Sequence, residues 1–226
     1  MNILALDTAD QVLSAALGTE TGVWYTEIDA GSRHSELLME CIDGLCGSAG
    51  LRPEALDYVA CMKGPGSFTG LRIGFSAAKG LCLALGIPLI TAPTLDCLAN
   101  PLSIWPGIVL PAMDAKRGCF FAALYRGGER LTDYMDESPE TLANEAAKAR
   151  LSPNESIVLT GSGAKLLGSG LTAYLSREHI RIDPESGRGR ARELLEIVRG
   201  AKLSATDDIN GGPVYIRKSD AEINWS

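Results

Sequence analysis

The stretch 3-ILALDTADQVLSAAL-17 returns, at an offset of 107 residues, as 110-LPAMDAKRGCFFAAL-124. In each, an apolar run ends in an aspartate, Asp7 or Asp114. The tripeptide Ala-Ala-Leu then follows at the same distance, as Ala15–Leu17 and as Ala122–Leu124. The common offset predicts that strand, turn and strand superpose without a gap. Chance can supply a tripeptide. It supplies less easily the same tripeptide followed by the same order of elements.

That order is read outward from the two stretches. After the first, residues 23–28 (VWYTEI) are rich in strand formers and complete a meander. Leu37, Leu38, Cys41, Ile42, Leu45 and Ala49 then recur at helical spacing, with Gly50 where a C-cap belongs. A short strand at 58–62, a helix at 70–85, a strand at 87–91 and a short helix at 94–99 follow. After the second stretch the same series is predicted. Strands lie at 107–113, 119–125 and 129–135. Next come a helix from Pro139 capped by Ser138, a strand at 156–160, a helix at 163–175, a strand at 180–182 and a helix at 189–202. Two β-β-β-α-β-α units with mixed sheets make the actin-like, ribonuclease-H-like (ASKHA) α/β architecture. The expected lobes are 1–103 and 104–226, with the tail after about residue 210 a candidate to return to the first lobe.

With 226 residues and 46% apolar content, the chain can fill two such cores. Its formal charge of −7 and scattered Lys and Arg argue against direct, stand-alone binding to nucleic acid. Asp7 interrupts the first apolar run too early for a leader peptide, and no run approaches a membrane span; the expectation is a cytoplasmic protein. The cysteines at 41, 46, 61, 82, 97 and 119 have no C-x-x-C spacing and mostly sit in apolar runs, so they read as core residues.

In this architecture the ligand is expected between the lobes, at the turns after the two first strands. Asp7 and Thr8, Asp114, and the glycines of 161-GSGAK-165 are the candidate nucleotide-contacting residues: a carboxylate can hold hydrated magnesium and turn amides can hold phosphate. The competing reading is that Asp7 and Asp114 only cap their turns. The glycine-rich 64-GPGSFTGLRIG-74 resembles a phosphate loop but misses three spacings, two of phosphate loops and one of a nucleophile elbow. Thr69 stands where G-x-G-x-x-G needs its third glycine. No Lys-Ser or Lys-Thr completes a Walker loop, and Pro65 and Thr69 flank Ser67 where a nucleophile elbow needs glycines. Gly70 and Gly74 instead suggest a helix shaved for close approach by a neighbour. The near absence of charge from 70 to 85 suggests burial on more than one side.

Four stretches, ILALDTA (3–9), SRHSELL (32–38), GPGSFTGLRIG (64–74) and PVYIRKSDAE (213–222), closely resemble the TsaB (YeaZ) family, and the resemblance spans the chain. It implies a role in forming N6-threonylcarbamoyladenosine at position 37 of tRNAs that read ANN codons. It implies no catalysis by this chain, but a heterodimer with the related transferase TsaD through helices of the first lobe. It implies further the ATPase TsaE as a partner, tRNA contact only through the complex, and a homodimer when alone. The interface carried over comprises Leu37, Leu38, Cys41, Ile42 and Leu45 on one helix, and Gly70, Leu71, Gly74, Phe75, Ala78, Leu81 and Cys82 on the other. TsaD-like proteins carry an H-x-x-x-H metal pair; here Thr94 and Leu98 stand at those places, so no metal ligands are expected. No cofactor is expected to bind firmly, with ATP or ADP and magnesium acting at the level of the complex. The alternatives are a nucleotide-binding or phosphotransfer protein of the same fold, and a metalloprotease, which the missing ligands disfavour.

Overall fold

The computed structural model describes residues 1–152, 154–200 and 211–216. They form two compact units, the first built from Met1–Cys97 and the segment that begins at Arg188, the second from Leu98–Gly187.

In the first unit, β1 (Ile3–Asp7), β2 (Val12–Gly18) and β3 (Val23–Asp29) form an antiparallel meander. β4 (Tyr58–Met62) and β5 (Leu89–Ala92) join parallel to it, in the order β3-β2-β1-β4-β5. Helices α1 (His34–Ala49) and α2 (Phe68–Leu85) cover one face, burying Leu38, Ile42, Phe75 and Ala78 against Leu4, Leu6, Leu13 and Val59. Both helices end on a glycine in the left-handed region, Gly50 at φ 62 and Gly86 at φ 68. α2 begins at Phe68, earlier than expected, because the Ser67 hydroxyl accepts the Gly70 N–H as an N-cap. By length and composition alone α2 is apolar enough to cross a membrane, which the sequence reading had excluded for every segment. Leu71, Phe75, Ala78 and Cys82 bury its apolar side in the unit's own core. The short α3 (Thr94–Ala99) follows β5.

The second unit repeats the plan. β6 (Ile108–Asp114), β7 (Phe120–Ala122), β10 (Met135–Glu137), β11 (Ile157–Thr160) and β12 (Ile180–Ile182) take the order β10-β7-β6-β11-β12, the same as in the first sheet. Helices α4 (Pro139–Ala149) and α5 (Ala164–Leu171) cover its core. Two expected strands are broken: 119–125 splits into β7 and β8 (Tyr125–Arg126), and 129–135 into β9 (Glu129–Arg130) and β10. Pro111 in β6 stands opposite Ala123 on the register line of Ala112↔Ala122 and Val109↔Tyr125, and it has no N–H to give to the ladder. The expected helix 163–175 stops at Leu171, where Gly168 and Gly170 weaken it.

Two sequence expectations need correction. The predicted helix 189–202 is α6 (Ala191–Gly200), and it belongs to the first unit, not to a lobe 104–226. Ala191, Leu194, Leu195 and Val198 recur at helical spacing and are buried over the strands of the first sheet. The chain therefore returns at Arg188, well before residue 210, and it leaves the first unit after Cys97 rather than 103. Residues 201 and 202 of that helix, and 217–222 of the PVYIRKSDAE stretch, lie outside the described residues.

The second correction concerns the repeat. β1 turns Leu4 and Leu6 to the helix-covered core, whereas β6 turns Ile108, Leu110 and Ala112. The offset of 107 maps Leu4 and Leu6 onto Pro111 and Met113, which point the other way. The hairpins agree: Asp7 pairs with Ser14, but Asp114 pairs with Phe120, one residue closer. The units are copies in topology, yet Asp7 and Asp114 lie on opposite sides of their sheets.

Candidate functional site

The turn after β1 is enclosed from two directions. Ala9 N–H donates to Asp7 Oδ1 (3.0 Å) and Arg190 N–H to Asp7 Oδ2 (2.8 Å), so the segment entering α6 takes the second carboxylate oxygen. Asp7 is 6% exposed. Burial pushes its carboxyl up to about 6, outweighing the two N–H donors that favour the charged form. Part-buried Glu193, 3.6 Å from the Arg190 guanidinium, is also pushed upward by burial, and the Cys97 thiol well upward. From the opposite side α2 presses on the same turn. Thr8 Oγ1 donates to Gly70 O (2.7 Å) and Ser67 N–H to Ala9 O (2.7 Å). A Cβ at Gly70 would lie 2.1 Å from Thr8 O, and one at Gly74 2.3 Å from Thr8 Oγ1.

The glycines of 64-GPGSFTGLRIG-74 thus serve the chain's own turn. Gly70 and Gly74 admit Thr8, not a partner helix, which corrects the expectation drawn from their spacing. Asp7 and Thr8, the candidate nucleotide-contacting pair, have their side-chain oxygens taken within the first unit.

The turn after β6 is open by comparison. Asp114, its side chain 33% exposed, accepts from Lys116 N–H (2.7 Å) and from Lys116 Nζ (2.8 Å). The lysine hydrogen bond holds its carboxyl below the usual range. Lys116 and Arg117 adopt φ 63 and 58, a left-handed turn that favours glycine. Gly161 and Gly163 do reach this strand end. A Cβ at Gly161 would meet Ala112 O at 2.5 Å, and Gly163 N–H donates to Ala112 O (2.9 Å). The structure brings Asp114, Gly161 and Gly163 together, and it brings Asp7 together with Thr8. Among the described residues, no three His, Cys, Asp or Glu are grouped to hold a metal ion. His34, at the start of α1, is buried.

Most of the expected interface is interior. Leu38, Cys41, Ile42, Leu45, Leu71, Phe75, Ala78 and Cys82 are core residues of the first unit, and Leu37 and Leu81 pack against that core. A helical stripe bold enough to see in a sequence is the stripe a helix buries first. The accessible surface lies one step round. Leu38, Met39, Phe68, Ile73 and Ala77 line a groove of about 500 Å³ between α1 and α2, edged by Ser35, Thr69, Arg72 and Ser76. Met39 is 47% exposed and Phe68 38%, and the Arg72 guanidinium stacks 3.7 Å above the Phe68 ring. The legible signal for this groove was the second apolar flank of α2, Phe68, Ile73 and Ala77.

Relatives settle the family. Over the whole chain, the tRNA threonylcarbamoyladenosine biosynthesis protein TsaB of Haemophilus influenzae is 34% identical, with 96% of its own length matched. The chain belongs to the TsaB family. The Bacillus subtilis TsaB is 27% identical over 100% of this chain and 98% of its own. The family model of TsaD, the tRNA N6-adenosine threonylcarbamoyltransferase, matches residues 27–225, so TsaB-type chains and that transferase share a superfamily. The solved structure of YeaZ from Pseudomonas aeruginosa superposes with a TM-score of 0.76 at 23% identity, covering 95% of this chain and 99% of that one; the TsaB fold is common to both.

Proposed function

We propose that this chain is a non-catalytic subunit of the bacterial assembly that forms N6-threonylcarbamoyladenosine at position 37 of tRNAs reading ANN codons. In this reading the α1/α2 groove docks TsaD and stabilises it. The observation that carries it is the groove itself: large apolar side chains, Met39 and Phe68, left half-exposed on two rigid core helices beside a stacked arginine. The burial of Asp7 beneath α2 and the Arg190 segment supports a role other than phosphoryl transfer on this chain. TsaE joins through the TsaD-bound form and tRNA is met only through the complex. ATP or ADP and magnesium act at that level. Without TsaD the same face pairs two copies, and the assembly is cytoplasmic.

Phe68→Glu places a charge in the groove without touching the core. On gel filtration with TsaD it is expected to abolish the heterodimer peak, and tRNA modification reconstituted with this chain should fall with it. Circular dichroism and the melting temperature should stay as in the wild type. An undiminished heterodimer would overturn the docking role. ATP or peptide turnover by the chain alone, abolished in Asp114→Ala, would overturn the non-catalytic one.

A further inference from the structure

The two faces of the first sheet are covered differently. Leu4, Leu6, Leu13 and Ala15 share a core with α1 and α2. The alternate residues turn to α6, and three polar side chains among them form one row across the strands. Asp7 pairs with Ser14, and Ser14 with Glu27. The row accepts from three consecutive amides of the segment entering α6. Gly189 N–H donates to Glu27 Oε2 (3.2 Å), Arg190 N–H to Asp7 Oδ2 (2.8 Å) and Ala191 N–H to Ser14 Oγ (3.0 Å). The sheet thus caps α6 from outside the helix. The Tyr25 hydroxyl donates to Gly189 O (2.9 Å), and the Arg188 guanidinium pairs with Glu27. A Cβ at Gly189 would lie 2.4 Å from Ser14 Cβ, so glycine is what lets the segment settle on the row. Gly18 makes the same room at the far end, where its Cβ would meet Arg199 Nη2 at 2.4 Å.

α6 has ten residues, too few for a helix to persist alone in water. Its apolar hold is Ala191, Leu194, Leu195 and Val198, a small set beside the core that joins the strands to α1 and α2. An element held so lightly opens at lower cost than the whole unit. Beneath it lie buried carboxyls. Facing Asp7 are Asp10 from its own turn, Arg190 from the entry to α6 and Cys97 from α3, with Asp96 and Glu193 beside Cys97. Glu193 Oε2 is buried without a hydrogen-bond donor among the described residues. An ionised carboxylate in such a place is costly, and burial raises both Asp7 and Glu193. Glu27 differs: burial pushes its carboxyl up, but the Tyr25 hydroxyl, the Gly189 amide and Arg188 outweigh this and hold it below its ordinary value.

We propose that residues 188–200 form a latch that opens and closes on the first sheet as one element, while the sheet and its α1/α2 core stay folded, and that a proton on Asp7 holds it shut. Opening returns Asp7 and Glu193 to water, where each gives up its proton nearer the ordinary carboxylate value, and closing takes the protons back. Raising the pH from about 4 to about 6 therefore loosens the latch. Below about pH 4 Glu27 loses the charge that binds Gly189 and Arg188, so the latch is tightest near that value. This face lies across the sheet from the α1/α2 groove, and the latch is independent of what docks there.

Native-state hydrogen exchange of the full chain, read by NMR over a denaturant series, tests the latch. The α6 amides should exchange through an opening of lower free energy and much weaker denaturant dependence than the amides of β1 and β4. Corrected for intrinsic exchange, α6 protection should fall roughly a hundredfold between pH 4 and 6 and then level. In Asp7→Asn, neutral at every pH, most of that fall should vanish, leaving the smaller share of Glu193. Gly189→Ala keeps every ionisable group and drives a Cβ into Ser14; it should lower α6 protection about tenfold or more and preserve the fall with pH. A single exchange isotherm for α6, β1 and β4 would overturn the proposal, as would α6 protection level from pH 4 to 6. So would an undiminished pH dependence in Asp7→Asn, or α6 protection unchanged in Gly189→Ala.

Discussion

Asp7 and Asp114 end the first strands of two like-built sheets and live in opposite surroundings. Asp7 is sealed between α2 and the segment entering α6, its oxygens held by two backbone amides and its carboxyl raised by burial. Asp114 keeps a third of its side chain in solvent, and a lysine two residues on lowers its carboxyl. The hairpin register differs by one residue, which turns the two carboxylates to opposite faces, and α6 packs on the first sheet. Duplicated topology therefore does not carry duplicated chemistry: a one-residue slip suffices to convert an exposed turn carboxylate into a buried strut.

The contrast breaks most readily at the glycines. Gly70→Ala drives a Cβ into Thr8 O and should destabilise by about 3 kcal/mol or more in denaturant titration, whereas Gly163→Ala, with 3.0 Å to its nearest atoms, should cost about 1 kcal/mol. Comparable losses at both sites would mean that the two turns are equally enclosed.

Acidity sharpens the contrast next. The Asp7 carboxyl is raised from 3.8 to about 6, so the folded state holds its proton longer than the unfolded chain does. Stability from this group is greatest below pH 4, falls as pH rises to 6, and is level above it, a change of about 3 kcal/mol. Unfolding free energies measured against pH for wild type and Asp7→Ala should diverge over that window, with the variant lacking this fall. Parallel curves would show that the carboxylate is not buried in solution.

Asp114 should give the smallest effect and the opposite sign. Its lowered carboxyl adds stability above the unfolded value and loses it as pH drops through the folded one. Because the lysine is exposed and the aspartate keeps a third of its side chain in solvent, Lys116→Ala should change the unfolding free energy by less than about 0.5 kcal/mol at neutral pH. A larger loss would make the Lys116 turn a structural element in its own right.

Much of this was readable from residues alone. The strand formers of VWYTEI, the stripe from Leu37 to Ala49 and the Ser138-Pro139 cap are local, and each produced its element. The split of residues 119–125 was not, because it depends on Pro111 lying opposite Ala123 in another strand. The groove was half legible: its helices were foreseen, but the residues assigned to it were those the helices bury against their own sheet. Gly70 and Gly74 were read correctly as sites of close approach and wrongly as to what approaches.

The sequence by itself determined the duplicated α/β plan and the TsaB family, because strand and helix periodicities and a motif such as GPGSFTGLR are written along the chain. Only the tertiary structure decided which unit α6 serves, which face each aspartate takes, and which flank of α1 and α2 stays in water. Those depend on register and on contacts between residues as far apart as Asp7 and Arg190, 183 positions along the chain, where packing, not local propensity, selects the outcome.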